Sequence, residues 1–296
     1  MPFLGELSAL LTAFLWSSGS LVFTAATKRL GSVQVNITRL ILASVYLALL
    51  IVVMRLDVNL SRTQIINLSI SGVIGLTIGD TFLFKAFQEV GARISMLVMS
   101  TAPAIAAMLA YFVLGETLSV MGILGIAVTV FGVSIVVLDR SAKLSSRVKL
   151  TTSGLVYATL GAIGQGAGLI FAKMAFIESD LNGFVATEIR ILASLVFLIP
   201  GALMMKRYKN PIRVFSEDRK ATYLIAFGAI LGPFLGISFS LIAIAHTKVG
   251  IAATIMATVP ILMLPLVRFI YKEKLTWRAI LGAFTAVAGV GILFLR

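Results

Sequence analysis

Seven stretches of this chain, each 17 to 27 residues long, contain no Asp, Glu, Lys or Arg: 7–27, 94–115, 117–138, 150–172, 221–247, 249–267 and 279–295. A charged side chain at mid-bilayer costs roughly 2.5–3.5 kcal/mol on insertion scales, so such gaps mark helices able to cross a membrane. Three more blocks qualify if one or two internal charges are tolerated: 30–54 around Arg39, 63–87 around Asp80 and Lys85, and 181–205 around Glu188 and Arg190. A helix needs about 20 apolar residues to cross the hydrocarbon core, and all ten blocks meet or approach that length. They are continuously apolar rather than alternating, which argues against a transmembrane β-barrel. In chain order they are spans 1 (7–27), 2 (30–54), 3 (63–87), 4 (94–115), 5 (117–138), 6 (150–172), 7 (181–205), 8 (221–247), 9 (249–267) and 10 (279–295) of a predicted all-α integral membrane protein.

Composition agrees. Charged residues are 12% of the chain and hydrophobic ones 59%, with a mean hydropathy of +1.05, whereas a soluble domain carries roughly a quarter charged residues. No polar stretch is long enough to fold as a separate domain. Cysteine is absent and His246 is the single histidine, so disulfides, thiolate zinc and two-histidine sites are excluded, and no metal or cofactor is expected. The net charge of +13 sits between apolar blocks, a pattern suited to lipid headgroups rather than nucleic acid. Membrane lipids are therefore expected partners and nucleic acid is not. The first block lacks a basic leader and runs straight on at spanning length, so a cleavable signal peptide is not expected.

The chain repeats itself. Residues 103–138 align without a gap on 260–295, an offset of 157, with 13 of 36 pairs identical, among them Pro103 with Pro260, Glu116 with Glu273 and Gly132 with Gly289. Upstream, with small gaps, Ala86, Val90 and Gly91 match Ala245, Val249 and Gly250, and the run from Arg39 resembles that from Arg190. Residues 1–138 thus form a first five-helix repeat, 139–149 a basic linker and 150–296 a second repeat. Five is odd, so the second repeat enters from the opposite side. Inverted repeats of this kind build secondary transporters whose sites lie near the midplane where the halves meet.

The run Gly79-Asp80-Thr-Phe-Leu-Phe-Lys-Ala-Phe, then Val90-Gly91-Ala, Pro103 and Leu114-Gly115-Glu116, resembles the EamA-type branch of the drug/metabolite transporter superfamily. Ala245, Val249-Gly250, Pro260 and Lys272-Glu273 repeat the pattern, and Trp16-Ser17-Ser18-Gly19 fits the family's first helix. The resemblance covers essentially the whole chain. It implies a ten-helix carrier with a central cavity, whose relatives export amino acids and other metabolites or exchange nucleotide sugars and sugar phosphates.

Orientation draws two expectations. Loops after odd-numbered spans, with Lys85 at the end of span 3, hold 18 Lys or Arg residues against 5 on the other side, so by the positive-inside rule both termini face outward. The resemblance implies termini inside. The plasma membrane is the expected location.

Ionisable groups within spans are functional candidates, because their burial must be compensated. Asp80 follows Gly72, Gly75 and Gly79 and shares a helix face with Phe84 and Phe87; it reads as a proton- or cation-coupling site or substrate contact, or as a structural partner of Lys85. Arg39 and Arg190 occupy equivalent places near the starts of spans 2 and 7, which favours anchoring of helix-end carbonyls or headgroups. Glu188, two residues before Arg190, points elsewhere and needs its own partner. Trp16, Ser17 and Ser18 correspond approximately to Gln165 and its neighbours, either as helix-contact residues or as cavity walls. Met99, on a face with Met96, Ser100 and Pro103, is a candidate liner, as are Ser240 and Thr254. Pro103 and Pro260 are hinge candidates. Glu116 and Glu273 read as helix caps and His246 as a passive interfacial contact.

The expected function is export of a small metabolite such as an amino acid by alternating access, with exchange of nucleotide sugars or sugar phosphates as the alternative. A lipid-modifying enzyme would need clustered carboxylates, histidines or a nucleophile, and a channel a continuous polar stripe; neither pattern is present. No P-loop motif is found.

Overall fold

The computed structural model describes residues 3–114, 119–137, 150–178, 181–247, 252, 255–270, 272 and 275–294. The predicted linker 139–149, the paired Glu116 and Glu273, and Thr254 lie outside them. Among the described residues, six helices are long and apolar enough to cross a bilayer: Leu4–Leu30, Ser32–Met54, Arg62–Glu89, Thr152–Glu178, Gly183–Met204 and Arg219–His246, which are spans 1, 2, 3, 6, 7 and 8. The remaining apolar helices are shorter: Gly91–Met99 followed by Ala102–Leu114 for span 4, Val120–Val137 for span 5, Val259–Ile270 in span 9 and Trp277–Phe294 for span 10. A short helix, Pro211–Glu217, lies in the basic loop before span 8.

Local chemistry sets the boundaries. Gly31, at φ +83°, turns the chain from span 1 directly into span 2, a conformation open to glycine at little cost. Span 3 opens on a capping box in which Ser61 and Gln64 satisfy each other's backbone N–H groups. Asn182 caps span 7. Asp218 caps span 8 and accepts two hydrogen bonds from Arg29 at 2.8 and 2.9 Å, which hold its carboxyl below the usual range and join the ends of spans 1 and 8.

The surface reverses that of a soluble protein. Val52, Phe112, Phe131 and Phe269 are 64–80% exposed, while Ser8, Thr12, Ser17 and Thr27 are buried. Contiguous apolar exposure on this scale requires an apolar solvent, so the chain is a multi-pass integral membrane protein.

The two halves are inverted copies. A Cβ on Gly132 would lie 2.3 Å from Ala286 N, and one on Gly289 would lie 2.3 Å from Thr129 N. Gly132 and Gly289 are repeat partners, as are Thr129 and Ala286, so spans 5 and 10 make the same contact in both directions. That is a pseudo-two-fold interface of small residues. Spans 3 and 8 each contain a π-helical stretch, Val73–Gly79 and Ile230–Ile237, starting 157 residues apart. Their buried positions keep the offset of 157 at all but Asn67 and Ser238: Ala86 and Ala243 are both buried, whereas Ala245 is exposed. The gapped pairing of Ala86 with Ala245 is therefore corrected; burial, not a local Val-Gly match, fixes the register.

Glycines let the repeats interlock. A Cβ on Gly164 of span 6 would meet Gly79 Cα at 2.6 Å, and one on Gly72 would meet the Arg190 carbonyl oxygen at 2.1 Å. Gly72→Ala is expected to force spans 3 and 7 apart at about 1–3 kcal/mol, typical of overpacking. Gly201→Ala, with no atom within 4 Å of the added Cβ, is expected to hold or gain up to about 1 kcal/mol through helix propensity. Thermal unfolding in detergent checks both; equal stability of the two variants would contradict the packing.

Candidate functional site

A cavity of about 180 Å³ lies between the repeats. Its first wall is a stripe of span 1, Trp16, Gly19, Ser20 and Phe23, at the i, i+3, i+4, i+7 spacing of one helix face. Opposite it stand Gln165, Gly166 and Leu169 of span 6. Twelve further liners fall in six repeat pairs at the offset of 157: Asp80 with Ile237, Leu83 with Ser240, Phe84 with Leu241, Met99 with Met256, Ser100 with Ala257 and Ala102 with Val259. Arg39 and Arg190, each seven residues into its helix from opposite membrane faces, also line it, and Leu76, Phe87, Met96, Pro103 and Gly232 do so without their repeat partners.

One ion pair dominates the interior. Arg39 donates to the Asp80 carboxylate and, from Nε and Nη2, to Asn36 Oδ1 at 3.0 and 2.9 Å. Its guanidinium lies 4.3 Å from the Phe84 ring centroid and 5.3 Å from that of Phe23. Asp80 accepts a second bond from Gln165 Nε2 at 2.6 Å, so the second repeat contributes to the charge centre of the first. Both partners are almost wholly buried. The π-helical stretch delivers Asp80 here: it ends at Gly79, and π-segments recur at functional sites.

Several expectations are corrected. Asp80 does not pair with Lys85; five helical residues apart, the two point to different sides, and Lys85 lies over the Phe82 and Tyr157 rings instead. Arg39 and Arg190 are not interfacial anchors, since seven residues place them about 10 Å inside their helices. Ser17 and Ser18 do not reach the cavity, because their helical phase turns them away from Trp16; Ser17 donates to the Ala13 carbonyl at 2.6 Å. Pro103 lines the cavity but, like Pro260, sits in the first turn of a helix, where proline breaks no internal hydrogen bond. The helix breaks lie just before, where the repeat partners Thr101 and Thr258 donate their hydroxyls to carbonyls three residues back. Glu188 accepts from Ser44 of span 2 at 2.6 Å, away from the cavity and from Arg190. Trp16, Asp80, Phe84, Met99, Gln165 and Ser240 do come together around the cavity.

Comparison with known proteins is decisive on family. Residues 3–138 and 152–295 each match the family described as EamA-like transporter family. The chain belongs to that family. This EamA-like transporter is 22% identical over 289 residues to an uncharacterized transporter of Archaeoglobus fulgidus, covering 98% of this chain and 97% of that one. A solved structure described only as a crystal structure of a protein shares the fold, with a TM-score of 0.70 and 14% identity over 97% of this chain and 95% of its own.

In this transporter the residues missed from the sequence were Ser20, Phe23, Asn36 and Met256. The helical phase of Trp16 would have given the first two, and the repeat partner of Met99 the last. Removing either member of the Arg39–Asp80 pair leaves a buried charge uncompensated and is expected to destabilise by about 3–5 kcal/mol. The double variant Arg39→Met, Asp80→Leu is expected to recover most of that loss. A double-mutant cycle of unfolding in detergent measures the coupling; additive losses would contradict it.

Proposed function

We propose that this EamA-like transporter is a secondary active carrier that exports a small amphipathic metabolite, such as an amino acid, across the cell membrane by alternating access. The observation that carries the reading is the pairing of cavity walls across the inverted repeats. When two halves related by a membrane-plane axis exchange conformations, the opening moves from one face to the other while paired liners such as Met99 and Met256 stay around the ligand. Aromatic and thioether walls suit an apolar body, and the serines, Gln165 and the charges suit a polar head.

Asp80 is the coupling candidate. A proton on its carboxylate would discharge the bond to Arg39 and free a second cation in the cavity. Purified protein in liposomes is expected to catalyse counterflow of at least one labelled amino acid, and Asp80→Asn is expected to remove its dependence on a pH gradient. Absence of counterflow across a panel of amino acids, their amides and simple organic acids would contradict the carrier reading. Unchanged pH dependence in a folded Asp80→Asn protein would remove Asp80 from coupling.

A further inference from the structure

The pseudo-symmetry of the cavity is broken at one charge. Arg39 is held by Asn36, Asp80 and Phe84. In the second repeat the equivalent positions are Thr187, Ile237 and Leu241, which offer a guanidinium no carboxylate, amide oxygen or aromatic ring. Thr187 donates its hydroxyl to the Gly183 carbonyl at 2.7 Å and accepts from the Ser238 hydroxyl at 3.3 Å. Arg190 is 5% exposed and lines the cavity, and its Nε has no hydrogen-bond partner among the described residues. It interacts with Asp80 through charge alone, while the hydrogen bonds of that carboxylate go to Arg39 and Gln165. Gly75 keeps the flank open: a Cβ there would lie 3.3 Å from Arg190 Nη2.

Arginine stays charged in proteins and offers donors in a fork that fits a carboxylate. Among the charged liners are two arginines and one aspartate, a surplus of one positive charge. A buried cation without a hydrogen-bonded counterion is costly, and a ligand anion would relieve it. The walls around it, including Ile237, Leu241, Met256 and Trp16, are apolar or aromatic.

The geometry points to Arg190 as the anion-recognition residue of the cavity, taking the carboxylate of an organic acid whose apolar body lies against the paired methionines and the aromatic wall. This rests on the carrier reading above and narrows its substrate class. Among the described liners an ammonium group finds no carboxylate other than Asp80, which is bonded to Arg39 and Gln165, so a simple carboxylate is preferred over its zwitterionic amino acid.

Ligand-induced thermal shift of the purified protein in neutral detergent tests this, with 3-phenylpropanoate, L-phenylalanine, L-phenylalaninamide, acetate and short-chain phosphatidylglycerol as probes. Stabilisation is expected in the order 3-phenylpropanoate, L-phenylalanine, acetate, with none from the amide. Arg190→Met is expected to weaken 3-phenylpropanoate on the order of 10- to 100-fold, the worth of a charge-assisted hydrogen bond. Arg190→Lys keeps the charge but loses the fork and is expected to fall between. Asp80→Asn is expected to tighten binding, a gain that misfolding cannot imitate. Equal stabilisation by the amide, no shift with 3-phenylpropanoate, a response to the lipid alone, or full affinity in a folded Arg190→Met protein would each overturn the assignment. Counterflow of L-phenylalaninamide with no carboxylate binding would sink this inference and leave the carrier reading standing. Carboxylate binding with no counterflow of any solute would do the reverse.

Discussion

The fold is organised around a charge that lipid cannot solvate. Arg39 sits about 10 Å inside span 2 by helix rise, where an uncompensated guanidinium would be expelled or would prevent insertion. The Asp80 carboxylate, the Asn36 amide oxygen and two ring faces compensate it. Each partner imposes a constraint. Asp80 fixes the rotation of span 3 against span 2, Phe23 brings in span 1, and the bond from Gln165 to Asp80 ties in span 6 of the other repeat. The glycines around Asp80 follow from the same demand, because span 6 can deliver Gln165 only where Gly79 and Gly164 let the backbones approach.

On an inverted frame, function resides in what the second copy failed to keep. Spans 5 and 10 retain their mutual glycine contact and contribute no cavity wall among the described residues, so they form a scaffold. The helix breaks at Thr101 and Thr258, the π-helical stretches and the pair Met99 and Met256 are also preserved. Asp80 and its partner Ile237 differ in charge, which leaves one arginine neutralised and the other available. A symmetric cavity would treat both ends of a ligand alike; with Arg190 as proposed, this one would distinguish a charged end from an apolar one.

Ten spans were legible because charges are excluded from lipid-facing helices, so gaps between charges count helices directly. The repeat was legible in spans 5 and 10, where close packing constrains Gly125, Gly132, Gly282 and Gly289. It was misread in span 8, where a short Val-Gly match pulled the alignment two residues away from the register that burial keeps. Asp80, Trp16, Gln165 and Met99 stood out as polar or bulky interruptions of apolar helices. The partner of Asp80 did not, because Arg39 lies 41 residues away and only the rotation of span 2 shows which way it faces. Ser17 and Ser18 were drawn in by proximity to Trp16, yet one helix step turns a side chain by about 100°, and Ser20 is the serine on the right face.

Alternating exposure of the midplane cavity is tested most directly by single-cysteine labelling, for which a chain without cysteine needs no background removed. Ser100→Cys and Ser240→Cys would place a thiol on each repeat's share of the wall, and a membrane-impermeant maleimide would be applied from either side of oriented vesicles. The expected result is labelling from both sides, with a transported solute changing the two rates in opposite directions. Labelling from one side only, at a rate no solute alters, would contradict a cavity that opens alternately to the two faces.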